Sequence, residues 1–118
     1  MLTFAQFSAI NRLRSESPGG FNHALESWSL SDWLTATLGE LGEAANIAKK
    51  LNRVRDGING NKQSEAELRT AFRREIADTV IYLDLLAQRE GFDLGEAVRE
   101  TFNAKSRELN CSIECPES

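Results

Sequence analysis

Two short stretches carry acids at a spacing that chemistry can use. In GELGEAANIAKK, Gly39 to Lys50, Glu40 and Glu43 stand three residues apart, and in REIADTVIY, Arg74 to Tyr82, Glu75 and Asp78 repeat the spacing. On a helix the members of each pair lie about 60° apart around the axis. Each pair borders small or apolar residues: Ala36, Ala44 and Ile47 beside the first, and the run IADTVIYLDLLA around and beyond the second. Carboxylates next to buried surface are costly unless a counter-charge compensates. If the two helices pack side by side, the four acids converge, and four like charges cannot all stay ionised without a cation. An all-oxygen set suits a hard divalent ion, Mg²⁺ or Mn²⁺. The chain has one histidine, His23, and no HExxH, which argues against a zinc hydrolase. Because Mg²⁺ usually joins a few carboxylates to waters and substrate phosphates, the constellation predicts a phosphate-bearing ligand.

The cations fit that expectation. Lys50 follows Glu43 by seven residues, on nearly the same face and about 10 Å along the axis. That length plus the reach of the side chain matches a triphosphate. KKLNRVR adds Lys49, Arg53 and Arg55. The plainer reading is that cations at a helix C-terminus complement the macrodipole. Likewise the acids have a plainer reading, as partners of Lys49, Arg73 or Arg74 in a purely structural helical module. Trp28 and Trp33, with Phe21 and His23 nearby, precede or open the first acid helix; such rings stack on a base or serve as core and interface. Tyr82, one turn beyond Asp78, either hydrogen-bonds within the site or is a buried structural tyrosine.

These residues need helices to position them, and the periodicity is helical throughout, with no clean strand alternation. A first helix is expected over Thr3–Glu16, with Phe4, Phe7, Ile10 and Leu13 at helical spacing and SPGG as its stop. Phe21–Leu30 reads as a loop or short turn. A second helix begins near SLSD, where Ser29 and Asp32 resemble a capping box, and runs to about Val54. Leu34, Leu38, Leu41, Ala45 and Ala48 give it one apolar stripe. DGINGN, Asp56 to Asn61, is turn chemistry. The third helix opens at Ser64 with Glu67 as capping partner and continues to Glu90, with Gly91 as its stop. From Ile76 to Ala87 it is apolar almost all round and should be buried on several sides. The fourth opens at Asp93 with Glu96, continues through Leu94, Val98, Thr101 and Phe102, and fades after about Leu109. The expectation is a single all-α domain over residues 1–118, a four-helix arrangement with an N-terminal helix and loop over 1–28 and an irregular tail over 110–118.

Composition bounds the function. At 118 residues, 41% hydrophobic, 27% charged and net charge −4, the chain has an ordinary globular make-up and lacks a general basic footprint for nucleic-acid polymers. No run of about 18 apolar residues predicts a membrane span. MLTFAQFSAINRLR does not read as a signal peptide, so a cytoplasmic location is expected. Cys111 and Cys115, the two cysteines, are expected as reduced thiols; as a zinc pair they would need ligands from elsewhere.

GELGEAANIAKK followed by EIADTVIYLDLLA resembles the MazG-like, all-α nucleoside triphosphate pyrophosphohydrolases, over roughly Ser29 to Arg107. That family carries ExxE, a spacer and ExxD on consecutive helices, and its four acids map to Glu40, Glu43, Glu75 and Asp78. The resemblance implies a MazG-like bundle and Mg²⁺-dependent cleavage between the α and β phosphates, giving a nucleoside monophosphate and pyrophosphate. It also implies a homodimer, or a homotetramer built from dimers, with sites lined by more than one chain. The spacer of 31 residues between Glu43 and Glu75 is long, and NRVRDGINGNKQ is expected to cover the site or meet a neighbouring subunit. Many relatives have a lysine just before the Phe of the last helix; here Thr101 precedes Phe102, which leaves Lys105, with Asn103 close by, as the phosphate contact. KKLNRVRDG is similar to short members of the family, including phage proteins grouped as MazZ, which act on guanine nucleotides. The substrate implied is therefore dGTP or GTP, with dCTP or dUTP as the alternative. A non-catalytic nucleotide- or metal-binding helical oligomer would use the same residues.

Overall fold

Thr3 starts the first helix as its N-cap. Its hydroxyl accepts from the Gln6 N–H at 3.1 Å, and Gln6 Oε1 accepts from the Thr3 N–H at 2.9 Å, so two otherwise orphaned donors are satisfied reciprocally. In the computed structural model, which describes residues 1–117, α1 then spans Phe4–Glu16. A 3₁₀ turn follows at Leu25–Ser27. Ser29 and Asp32 form the expected box at the head of α2, Leu30–Asp56. The helix runs two residues past Val54 because Gly57, at φ 68°, takes the left-handed position that closes it. Ser64 accepts from the Glu67 N–H at 3.1 Å at the head of α3, Glu65–Arg89. Gly91, at φ 80°, follows the end of α3. Asp93 accepts from the Glu96 N–H at 2.8 Å and caps α4, Leu94–Glu108. All regular structure among the described residues is helical, as the periodicity predicted. None of these helices is long and apolar enough to cross a membrane.

The chain divides into two compact units, with α3 contributing to both: Trp28–Leu83, and Met1–Ser27 together with the chain from Asp84 onward. In the second of these, α1 meets α4 and the 3₁₀ turn. Gly95 permits the approach, since a Cβ there would lie 2.7 Å from Phe4 Cβ. Gly20 is required on the same grounds, because its Cβ would fall 2.0 Å from the Arg14 carbonyl oxygen. At the centre is Asp84, 0% exposed. Its carboxylate accepts from Ser8 Oγ at 2.5 Å, from Asn11 Nδ2 at 2.9 Å and from Gln88 Nε2 at 2.9 Å.

This explains a departure from the expected face of α1. Phe4, Ile10 and Leu13 of the predicted apolar row are exposed, whereas the polar Asn11 and Ser15 are buried. A buried carboxylate needs donors, and α1 turns its hydroxyl and amide side to supply them. The tail returns along α4. Asn103 donates to the Cys115 carbonyl at 3.0 Å and accepts from the Cys115 N–H at 2.7 Å. The Cys111 N–H bonds Ser106 O at 2.8 Å, and Arg107 pairs with Glu114 at 2.8 Å.

The unit Trp28–Leu83 is a helical hairpin. Trp33, 2% exposed, lies 4.7 Å from Trp28 in an edge-on arrangement and 6.3 Å from Tyr82. Because Trp33 meets Tyr82 while Glu43 meets Glu75, α2 and α3 run antiparallel. The face of α2 that turns inward carries Trp33, Thr37 and Ala44. The leucine stripe lies beside it and is exposed at Leu34, Leu38 and Leu41; on α3, Ile76, Val80 and Leu83 of the nearly all-apolar run are exposed too. In the loop, Asn61 donates to the Lys50 carbonyl at 2.7 Å, satisfying one carbonyl near the end of α2.

Candidate functional site

Three of the four expected acids converge between α2 and α3. Glu40, Glu43 and Glu75 each place a carboxylate oxygen so that all three lie within 4.8 Å of one another. One helical turn separates Glu40 from Glu43, and the antiparallel pairing brings Glu75 opposite both. Asp78, the fourth, stands outside that tight group, yet its charge acts on both Glu43 and Glu75. Among the described residues, none of the ion pairs involves any of the four. Lys49, Arg73 and Arg74, the cations of the plainer structural reading, are exposed.

The electrostatics follow from this crowding. Glu43 is held above the usual carboxyl range by a hydrogen bond with Glu75, by the Glu75 charge, and by the more distant charge of Asp78. For Glu75 the hydrogen bond with Glu43 acts downward. Burial and the Glu40 and Asp78 carboxylates outweigh it, so its proton affinity also rises. Burial, then the charges of Glu40, Asp78 and Glu43, push the Tyr82 phenol up. Oε2 of Glu75 is sealed from solvent and meets no hydrogen-bond donor. A buried oxygen without a donor is expensive. A divalent cation among the three carboxylates would satisfy it, and the oxygen-only donor set fits Mg²⁺ or Mn²⁺.

The remaining expected residues are spread more widely. Lys50 is half-buried on α2, with its carbonyl taken by Asn61. Arg53 reaches Asn61 Oδ1 at 3.4 Å, and Arg55 pairs with Asp56 at 2.8 Å. Trp33 is a core ring, whereas Trp28 keeps some exposed surface. Asn103 and Lys105 belong to the other unit. Asn103 is committed to the tail, and Lys105 pairs with Glu108 at 2.8 Å. Cys111 and Cys115 are free thiols.

Sequence reasoning missed Asp84 and Asn61. The signal for Asp84 was present: a second aspartate, six residues after Asp78 and flanked by leucines in the run IADTVIYLDLLA, demands donors from a neighbouring element. Asn61 had only its place in turn chemistry. No family model, curated protein or solved structure matches the chain.

Proposed function

We propose that this protein is a Mg²⁺- or Mn²⁺-dependent nucleoside triphosphate pyrophosphohydrolase, converting a (d)NTP and water to a (d)NMP and pyrophosphate, with guanine nucleotides preferred. The observation that carries the proposal is the convergence of Glu40, Glu43 and Glu75 from two antiparallel helices around an oxygen that lacks a donor. The step from cation to nucleotide rests on the resemblance of the ExxE and ExxD pairs to the MazG-like family. So do the guanine preference and the assembly, a homodimer or homotetramer.

In this reading Glu40, Glu43 and Glu75 hold the ion and Asp78 adds negative charge beside them. When bound, the ion supplies neutralisation of phosphate charge and orientation of a water for in-line attack. A carboxylate of the group that is not fully used as a ligand would accept the proton that the attacking water gives up. Trp33, in ring contact with both Trp28 and Tyr82, belongs to the group of rings against which a base would stack in this reading. Lys50 and Arg53 extend along α2 from Glu43 toward the turn, the direction a triphosphate would take.

The test is a screen of all canonical NTPs and dNTPs with Mg²⁺ and with Mn²⁺, reading pyrophosphate separately from orthophosphate. The expected result is pyrophosphate plus monophosphate, fastest with dGTP or GTP. A diphosphate with orthophosphate refutes the reaction. Faster turnover of dCTP or dUTP refutes only the base preference. Nucleotide binding without turnover favours the non-catalytic reading.

A further inference from the structure

An asparagine carries a latent reaction, because the main-chain nitrogen of the next residue can attack its side-chain amide. Three things decide whether it proceeds: how exposed the asparagine is, how bulky its successor is, and whether that nitrogen's hydrogen is already held. The chain has eight asparagines, and Asn59 is the one that precedes a glycine. Folding closes the route at the others. Asn11, Asn46, Asn52 and Asn103 lie inside helices, and the N–H after each belongs to the helical ladder. Asn22 and Asn110 stand at turns with positive φ, yet the N–H after each is taken, that of His23 by Ser15 O at 2.7 Å and that of Cys111 by Ser106 O at 2.8 Å. Asn61 is held by its side chain, which donates to the Lys50 carbonyl at 2.7 Å, and a lysine follows it.

Asn59 differs on every count. The Ile58 N–H donates to Arg53 O at 2.9 Å and Asn61 grips Lys50, so the chain is pinned on both sides of it. Between these anchors Asn59 and Gly60 are exposed, and among the described residues neither takes part in a hydrogen bond. Gly60, at φ 128°, has open space where a Cβ would stand. No side chain shields its nitrogen, and glycine rotates readily into the conformations that bring that nitrogen to the asparagine amide. Asp56 with Gly57 is the internal contrast. The successor is again glycine, but the Gly57 N–H is bonded to the end of α2 and the Asp56 carboxylate pairs with Arg55 at 2.8 Å.

We propose that Asn59 is a site of spontaneous deamidation, with water as co-reactant. The Gly60 nitrogen gives its proton to base and forms a bond to Cγ of Asn59. The bond from Cγ to Nδ2 breaks, the side-chain nitrogen takes up a proton and leaves as ammonia, and a succinimide ring remains. Water then opens the ring. Breaking the new bond to Cγ gives aspartate, whereas breaking the original main-chain bond to the carbonyl carbon gives isoaspartate. The net change is an amide plus water to a carboxylic acid plus ammonia, and at neutral pH it adds one negative charge to the −4 of the chain. In isoaspartate the main chain between the two anchors is one carbon longer. The inference concerns this loop alone and does not depend on the proposed reaction.

Incubating the full chain in mildly alkaline buffer, with and without urea, and following every peptide by mass spectrometry tests it. The native chain is expected to change from the mass of the amide to that of the acid at Asn59 before any other asparagine, at a rate comparable to that in urea. The isoaspartate formed should be methylated by an isoaspartyl methyltransferase supplied with S-adenosylmethionine. Isoaspartate at Asp56 should appear in urea and not in the native chain. Asn59→Gln, a change at an exposed side chain without hydrogen bonds, should abolish both the mass change and the methylation. A mass change that comes first at another asparagine overturns the proposal, as does methylation undiminished in Asn59→Gln. A native rate at Asn59 an order of magnitude below that in urea also overturns it, since the loop would then have to open before it reacts. Isoaspartate forming in the native chain as fast at Asp56 as at Asn59 refutes the protection that sets the two sites apart.

Discussion

Two groups of carboxylates in this chain are treated in opposite ways. Asp84 is fully buried and is met by a hydroxyl and two amides contributed by α1 and α3. Glu40, Glu43 and Glu75 are less buried, yet they meet one another and leave an oxygen of Glu75 with no donor. The first arrangement is finished by the chain itself. The second is unfavourable while all three are ionised, and a proton or a cation would relieve it. Burial alone therefore does not decide what an acid costs; the identity of its neighbours does.

The sharpest way to break this comparison is to neutralise acids on each side. Glu75→Gln and Asp78→Asn should lower pyrophosphate release roughly a hundredfold to a thousandfold, with helix content retained. Full activity in both variants would remove the cluster from the mechanism. Asp84→Ala should do the reverse. It leaves buried donors unpaired and should cost about 3 kcal/mol, seen as a fall of about 10 °C in Tm, with Mn²⁺ affinity unchanged. A variant that is as stable as wild type refutes the structural role of Asp84.

Metal addition sharpens the contrast further. Mn²⁺ at a hundredfold excess over its Kd should stabilise the wild type by about 2.7 kcal/mol. Asp84→Asn should respond equally and Glu75→Gln hardly at all, measured by differential scanning fluorimetry. A smaller effect is expected from Glu43→Gln without metal. Removing one of the repelling carboxylates should raise Tm, and a lowered Tm contradicts the crowding.

The smallest effect concerns pH. Glu43 and Glu75 have folded-state proton affinities raised above the ordinary 4.5, so the metal-free folded state binds more protons than the unfolded state. Its stability should decline as pH rises from just above 4.5 through the raised values. The lowered acids Glu16, Asp32, Asp56 and Glu96 have ordinary values at or below 4.5. Their contribution is present above those values and lost as pH falls below them, so it occupies a separate window. A pH series of urea melts should show the decline in the wild type and a flatter profile in Glu43→Gln. An identical slope in both assigns it to other groups.

Helix ends were the most legible part of the sequence, because capping is local. Ser29 with Asp32, Ser64 with Glu67, and Asp93 with Glu96 each act within four residues. The proximity of Glu40, Glu43 and Glu75 was also legible, since two pairs at one-turn spacing need only the two helices to face each other. What each helix buries was not legible. The apolar rows of α1 and α2 were legible as rows, yet much of each is exposed, as are Ile76, Val80 and Leu83 of the α3 run that was expected to be buried on several sides. Periodicity reports where apolar residues lie on a helix, not whether their cover comes from the same chain. The bonds of Asn103 to the tail were not legible for a related reason. A buried amide on a helix serves a backbone as readily as a phosphate, and only the return path of the tail decides between them.

That return path has a consequence for how the C-terminal segment can vary. Asn103 grips residue 115 through its main-chain N–H and carbonyl alone, so neither bond depends on which side chain stands there. Proline is the exception, since it lacks the hydrogen. The next residue is Pro116. A slip of one position would bring a nitrogen with no hydrogen to Asn103 Oδ1 and abolish one of the two bonds. The segment can thus drift freely in composition while its alignment stays locked, and Pro116→Ala should leave the clasp intact yet admit a second, shifted alignment.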